Sequence, residues 1–180
     1  MRLDFFLEHA LSPITFPFFI ALVILYQSLL AGVFEVTLVS ILVPIAVYAA
    51  GYLLARIFFK NENVYFALPT VPAVAVASFF HQTYQNSPIL MISVFSICSF
   101  FILVIALRVF WKISMHMVFG VGAATILSIL DLRFALMYAL MPAVAWCRLS
   151  LKRHTHAQLA AGSVAGFLIP IAFGFWIGLF

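Results

Sequence analysis

A chain of 180 residues that is 67% hydrophobic and 8% charged, with 21 Phe, cannot be a soluble domain, because its surface-to-volume ratio leaves too much apolar area to hide. Its solvent must be lipid. The net charge of +4 does not indicate nucleic acid, since no basic, aromatic-interleaved stretch is long enough to follow a phosphate backbone.

Charged residues then act as punctuation. None occurs at 9–34, 36–55, 63–107, 113–130, 134–147 or 154–180. A bilayer-spanning helix needs about 20 mostly apolar residues. The N-terminal "MRLDFFLEHALSPITF" lacks a short apolar core with a small-residue cleavage site, so it is expected to be retained. In chain order the pattern predicts spans near 11–33, 36–58, 64–80, 88–107, 114–130, 132–150 and 157–179. The polar "HQTYQNSP" (81–88) divides the third from the fourth. The third is short and carries Pro69 and Pro72, and a re-entrant segment there would reduce the count to six. Met141-Pro142 is expected to bend the sixth. The fold class is all-α: one polytopic integral membrane helical bundle over residues 1–180, expected in a prokaryotic cell membrane. Phe is read as lipid-facing bulk, and Trp111, Trp146 and Trp176 as interfacial belts.

With seven spans, eight of the nine Lys and Arg side chains fall on one face and Arg133 alone on the other, which the positive-inside rule reads as a cytoplasmic face. Cations that bind substrate would report chemistry and not insertion. Two polar clusters share that face for either count. "RVFWKISMH" (108–116) leads into span five, and "RLSLKRHTHAQ" (148–158) joins spans six and seven. Asp131 and Arg133 form a tight paired turn on the other face.

Ionisable residues at membrane depth are functional candidates by default. His116 opens span five and Lys112 stands one turn earlier; Arg148 ends span six; His154 and Gln158 are four apart, on one helical face. With Ser114 they make two histidines, two fixed cations, a hydroxyl and an orienting amide. Phosphoryl transfer needs such a set: cations on the non-bridging oxygens, an in-line nucleophile and an acid for the leaving oxygen. Arg matches a pair of phosphate oxygens and Lys supplies a point charge. One histidine can attack and the other can protonate.

These residues resemble the type 2 phosphatidic acid phosphatase superfamily. "CRLSLKRHTHAQ" is similar to its third signature, Ser-Arg-x5-His-x3-Asp, with Arg148 and His154 at the right spacing. "KISMH" resembles the second, Pro-Ser-Gly-His, with Ser114 and His116 retained. The likeness covers about residues 108–170 and fits a divergent branch with Lys-Ile-Ser-x-His and His-Thr-x-x-Gln. Cys147 replaces Ser, Ile113 and Met115 replace Pro and Gly, and Gln158 takes the place of Asp. Of the first signature, Lys-x6-Arg-Pro, "KNENVYFALP" keeps Lys60 and Pro69, with Leu68 where Arg belongs. The resemblance implies a lipid phosphatase acting through a phosphohistidine. His154 would be the nucleophile, His116 the acid and Gln158 the orienting partner. Arg148, Lys112 and Ser114 would hold phosphate, with Lys60 either a further contact or a headgroup anchor. The substrate would be a lipid phosphate within the membrane: polyprenyl phosphate or diphosphate, phosphatidic acid, or phosphatidylglycerol phosphate.

Neither a cofactor nor a metal is expected. In "HTH" His154 and His156 diverge on a helix, and zinc would want three or four ligands. His156 is off the pattern. Lys152 and Arg153 are read as headgroup anchors, and Gly162 and Gly166 as close helix packing. Two competing expectations are a degenerate protein that binds lipid phosphate without chemistry, favoured by Gln158 and the missing Arg, and a lipid phosphotransferase.

Overall fold

The computed structural model describes residues 15–30, 32, 34–60, 68–84, 88–108 and 111–180. Within them the chain forms α1 (Thr15–Leu30), α2 (Phe34–Phe58), α3 (Thr70–Tyr84), α4 (Pro88–Arg108) and α5 (Met115–Leu130). A 3₁₀ segment (Leu132–Leu140), α6 (Met141–Ser150) and α7 (His156–Trp176) follow. The fold class is therefore an all-α bundle. Among the described residues, Thr37–Phe58, Leu132–Ser150 and His156–Trp176 are long and apolar enough to cross a membrane, and Phe19–Leu30, Val71–Phe80 and Met115–Leu130 are shorter apolar helices. The chain has the build of an integral membrane protein.

Local chemistry sets most boundaries. Glu35 in the first turn of α2 and Arg56 in its last turn complement the helix dipole. Pro88 opens α4, where its missing N–H costs nothing. The helix of the third segment begins at Thr70, directly after Pro69, because proline is tolerated only in a first turn. Positions 64–67 lie outside the described residues. The expected bend at Met141-Pro142 is instead a change of helix type: the span runs as 3₁₀ helix up to Leu140 and as α-helix from Met141. Pro142 falls in the first turn of α6, so no internal hydrogen bond is lost. Nine residues is long for a 3₁₀ run. Two contacts hold it. Asp131 caps it by accepting from the Arg133 N–H at 2.9 Å, and Tyr138 Oη meets Thr125 Oγ1 of α5 at 2.7 Å.

α5 is the axis of the bundle. Its residues from Met117 to Leu127 are all buried, which fits a helix apolar on every side. It packs against α1, α4, α6, α7 and the 3₁₀ segment, whereas α2 packs on α1 and α3. The Phe residues are therefore not all lipid-facing: Phe16, Phe100 and Phe119 are buried, with Phe100 and Phe119 edge-to-face at 5.5 Å between centroids. Trp111, Trp146 and Trp176 are exposed, as interfacial anchors would be.

The closest helix contact is between α5 and α7. A Cβ placed on Gly162 would lie 2.8 Å from the Ser114 carbonyl oxygen, and one on Gly166 would lie 2.5 Å from that of Val118. A Cβ on Gly122 would run into the Phe100 ring. Rising numbers on α7 meet rising numbers on α5, so the two helices run parallel with their N-termini at the same end. The reading of Gly162 and Gly166 as packing residues holds, and Gly122 of the facing helix belongs to the same seam. Gly166→Ala is expected to destabilise the protein by about 1–3 kcal/mol, because backbone and not a flexible side chain must give way. Thermal unfolding in detergent micelles measures this, with the exposed Val164→Ala as the control.

Candidate functional site

The C-terminal end of α6 is closed by a Schellman motif. The Arg153 N–H donates to the Arg148 carbonyl at 3.0 Å, and the Lys152 N–H to that of Leu149 at 2.9 Å. Such a closure needs a left-handed residue between the two, and Lys152 takes it at φ 52°. Glycine is the usual occupant; a side chain there is strained. The turn carries the chain from α6 into α7 within five residues, so Arg148 and His154 flank one tight reversal. Arg148 is 7% exposed, which is rare for a guanidinium without a dedicated role. It interacts with its surroundings, and its Nε is a buried donor with no acceptor.

α7 opens with a capping box. Thr155 Oγ1 accepts from the Gln158 N–H at 3.4 Å, and Gln158 Oε1 accepts from the Thr155 N–H at 3.1 Å. The same oxygen lies 3.2 Å from Nδ1 of His154. A backbone N–H can only donate, so the amide atom facing it is the oxygen. Nδ1 of His154 must then carry a proton, and Nε2 keeps a lone pair. Gln158 thus holds the imidazole in the tautomer that leaves Nε2 nucleophilic.

α5 starts beside this turn. The Ser114 N–H donates to the Gln158 carbonyl at 3.3 Å, tying the entrance of α5 to the first turn of α7. Ser114 occupies the N-cap position, yet its hydroxyl does not cap the helix. Ser114 is fully buried and its Oγ has no partner. A serine at an N-cap ordinarily accepts from the helix it opens. His116 follows in the first turn of α5, half-buried, and Lys112 precedes the helix, exposed.

The electrostatics agree with a converging set. His154 titrates below the ordinary histidine range, first because burial penalises its charged form and then because Arg148 and Lys112 are close enough to repel a proton. The bond to Gln158 opposes this. Its surroundings favour the neutral imidazole. One end of the bundle thus gathers a histidine whose ring lone pair lies on Nε2, two cations, an unused hydroxyl and a second histidine. The opening N–H groups of α5 and α7 add positive potential. The arrangement suits a tetrahedral anion.

Of the residues singled out from sequence, Arg148, Lys112, Ser114, His116, His154 and Gln158 come to this end together. Lys60 is exposed beyond α2, whose packing partners are α1 and α3. Most of "KNENVYFALP" lies outside the described residues. His156 is exposed, and no group of three or more His, Cys, Asp or Glu side chains gathers as a metal site among the described residues. Asp131 and Arg133 pair at the opposite end of α5 at 2.6 Å, as the turn reading expected. They line a cavity of about 420 Å³ with Tyr26 and Gln27. Two site residues escaped sequence reasoning. Thr155 is visible in hindsight, since Thr-x-x-Gln before an apolar run is a capping box. The left-handed Lys152 has no sequence signal, because nothing marks a lysine for a glycine's place.

Lys152→Gly is expected to stabilise the fold by about 0.5–1 kcal/mol by relieving that strain. A rise in the thermal midpoint in detergent checks this; an unchanged or lower midpoint would mean that the lysine side chain contributes more than the strain costs. Comparison with known proteins adds no identity: no protein-family model, curated protein or solved structure matches the chain.

Proposed function

We propose that the protein is a membrane lipid phosphatase built as a divergent relative of the type 2 phosphatidic acid phosphatases, with the seven helical segments as a seven-span core. The observation that carries the reading is the His154–Gln158 pair, which puts the ring proton on Nδ1 and so leaves the lone pair on Nε2, in the turn that follows the buried Arg148. In the first step Nε2 attacks phosphorus, the P–N bond forms and the bond to the lipid oxygen breaks. His116 gives its proton to that oxygen. In the second step water attacks the phosphohistidine, His116 takes its proton, and the P–N bond breaks to release inorganic phosphate. Arg148, Lys112 and Ser114 hold the non-bridging oxygens throughout, so the protein's own cations do the work a metal does elsewhere. Lys60 is a candidate for a further headgroup contact. Polyprenyl phosphate or diphosphate, phosphatidic acid and phosphatidylglycerol phosphate all fit a substrate that reaches the site from the bilayer.

A second reading has its own observation. The capping box alone accounts for Gln158, and an amide cannot neutralise the imidazolium-like charge that develops on attack. A protein that binds lipid phosphate without turnover would look the same at this position. A phosphotransferase would differ only in the acceptor of the second step, an alcohol in place of water.

Release of inorganic phosphate from a panel of lipid phosphates separates these readings. Turnover is expected, abolished by His154→Ala and nearly so by His116→Ala. Arg148→Lys is expected to be costly, since a point charge replaces a fork. Activity should survive chelation. Equal turnover by wild type and His154→Ala would overturn the assignment, and saturable binding without release would favour the binder.

The rate should also carry an acid limb. Because His154 titrates below the ordinary histidine range, Nε2 stays available through neutral pH and is lost only as pH falls through that lowered value. Lys112→Gln removes one of the charges that depress it, so the limb should move to higher pH. A pH–rate profile of the two proteins checks the sign.

A further inference from the structure

We propose that the backbone N–H of Thr155 is the lock that sets the tautomer of His154, a task that arises only because residue 158 is an amide. The catalytic consequence rests on His154 being the nucleophile; the lock itself does not. A carboxylate beside a histidine needs no orientation, because both its oxygens accept. An amide has one accepting and one donating end. Turned one way, Gln158 holds the proton on Nδ1 and leaves Nε2 free. Turned the other way, its NH₂ donates to Nδ1, the ring proton moves to Nε2, and the attacking lone pair is gone.

His154 cannot choose between these states, since imidazole suits either. The choice is made by the second partner of the same oxygen. The Thr155 N–H reaches Gln158 Oε1 at 3.1 Å while Nδ1 lies at 3.2 Å, so one carbonyl oxygen spends its two lone pairs on the backbone and the ring. The flipped amide would set NH₂ against N–H, donor against donor. The main chain of Gln158 is fixed too, because its backbone N–H is held by Thr155 Oγ1 at 3.4 Å. The cap that starts α7 and the device that prepares the histidine are thus one set of hydrogen bonds. Thr155 is a positioning residue, and it acts through its main chain.

The ¹⁵N ring shifts of His154 read this directly. They are recorded on the full chain in nanodiscs with labelled histidine, above the titration range, and assigned by difference from His154→Ala. The wild type is expected to show a protonated Nδ1 and an unprotonated Nε2. Thr155→Pro removes the N–H, together with the capping Oγ1, at a position whose φ of −92° lies near the proline range; Thr155→Ala removes Oγ1 alone and should keep the Nδ1–H form. Thr155→Pro should give a major Nε2–H form and cut phosphate release by at least about tenfold, as a wrong tautomer does in a triad. Gln158→Glu restores an acceptor that needs no orienting. The double variant Thr155→Pro/Gln158→Glu should therefore return to Nδ1–H and lose no rate relative to Gln158→Glu alone.

A major Nε2–H form in the wild type overturns the lock, even if Thr155→Pro does not fold. An unaltered Nδ1–H form in folded Thr155→Pro also overturns it, as does failure of the glutamate to rescue the tautomer. A locked Nδ1–H form in a protein that releases no phosphate would leave the lock standing and defeat the phosphatase reading.

Discussion

The structure depends on the close parallel contact between α5 and α7. Lipid offers no hydrophobic reward for bringing two apolar helices together, so association relies on van der Waals contact and on what hydrogen bonds the backbones can share. Gly162 and Gly166 allow that contact by presenting no Cβ to the carbonyls of Ser114 and Val118. From this one seam the rest follows. α5 is buried on all sides, Phe100 packs into the notch at Gly122, and the two N-termini arrive at one level. The Ser114–Gln158 hydrogen bond then joins the entrances of the helices. A side chain that pushed α7 outward would separate the residues that converge there before it disturbed any of them directly.

The polar end is built with local costs that the seam makes tolerable. A lysine sits in a left-handed conformation, a buried hydroxyl goes unused and a guanidinium is almost fully enclosed. Each is a departure from what stability alone would select, and such departures gather at functional sites. The opposite end of α5 is the contrast. There Asp131 and Arg133 satisfy each other, and the carboxyl titrates below its ordinary value because the guanidinium hydrogen-bonds it. That ion pair is self-contained, whereas at the His154 end the buried Ser114 hydroxyl is left without a partner.

Much of this was legible in the sequence because charge is so scarce in it. Runs free of Lys, Arg, Asp and Glu marked the helices; the contact expected between His154 and Gln158 exists, but His154 stands before the cap of α7, so the two meet through the capping turn and not on one helical face. The start of α3 at Thr70 was not legible, because apolar composition does not feel Pro69. The 3₁₀ form of residues 132–140 was not legible, since it depends on Tyr138 reaching Thr125 on another helix. Burial of Phe100 and Phe119 was equally hidden: it requires a glycine opposite, and the chain does not say which helices face each other. Lys60 stands beyond α2, which packs on α1 and α3.

The central claim is that Nε2 of His154 is the atom that takes up phosphate. Brief incubation with lipid labelled in its phosphate, followed by rapid denaturation and peptide mapping, tests it without assuming a rate-limiting step. A protein-bound phosphoryl group that is labile to acid, stable to base and located on His154 is expected. A phosphoryl group on any other residue, or steady phosphate release with no label trapped on the protein, would contradict it.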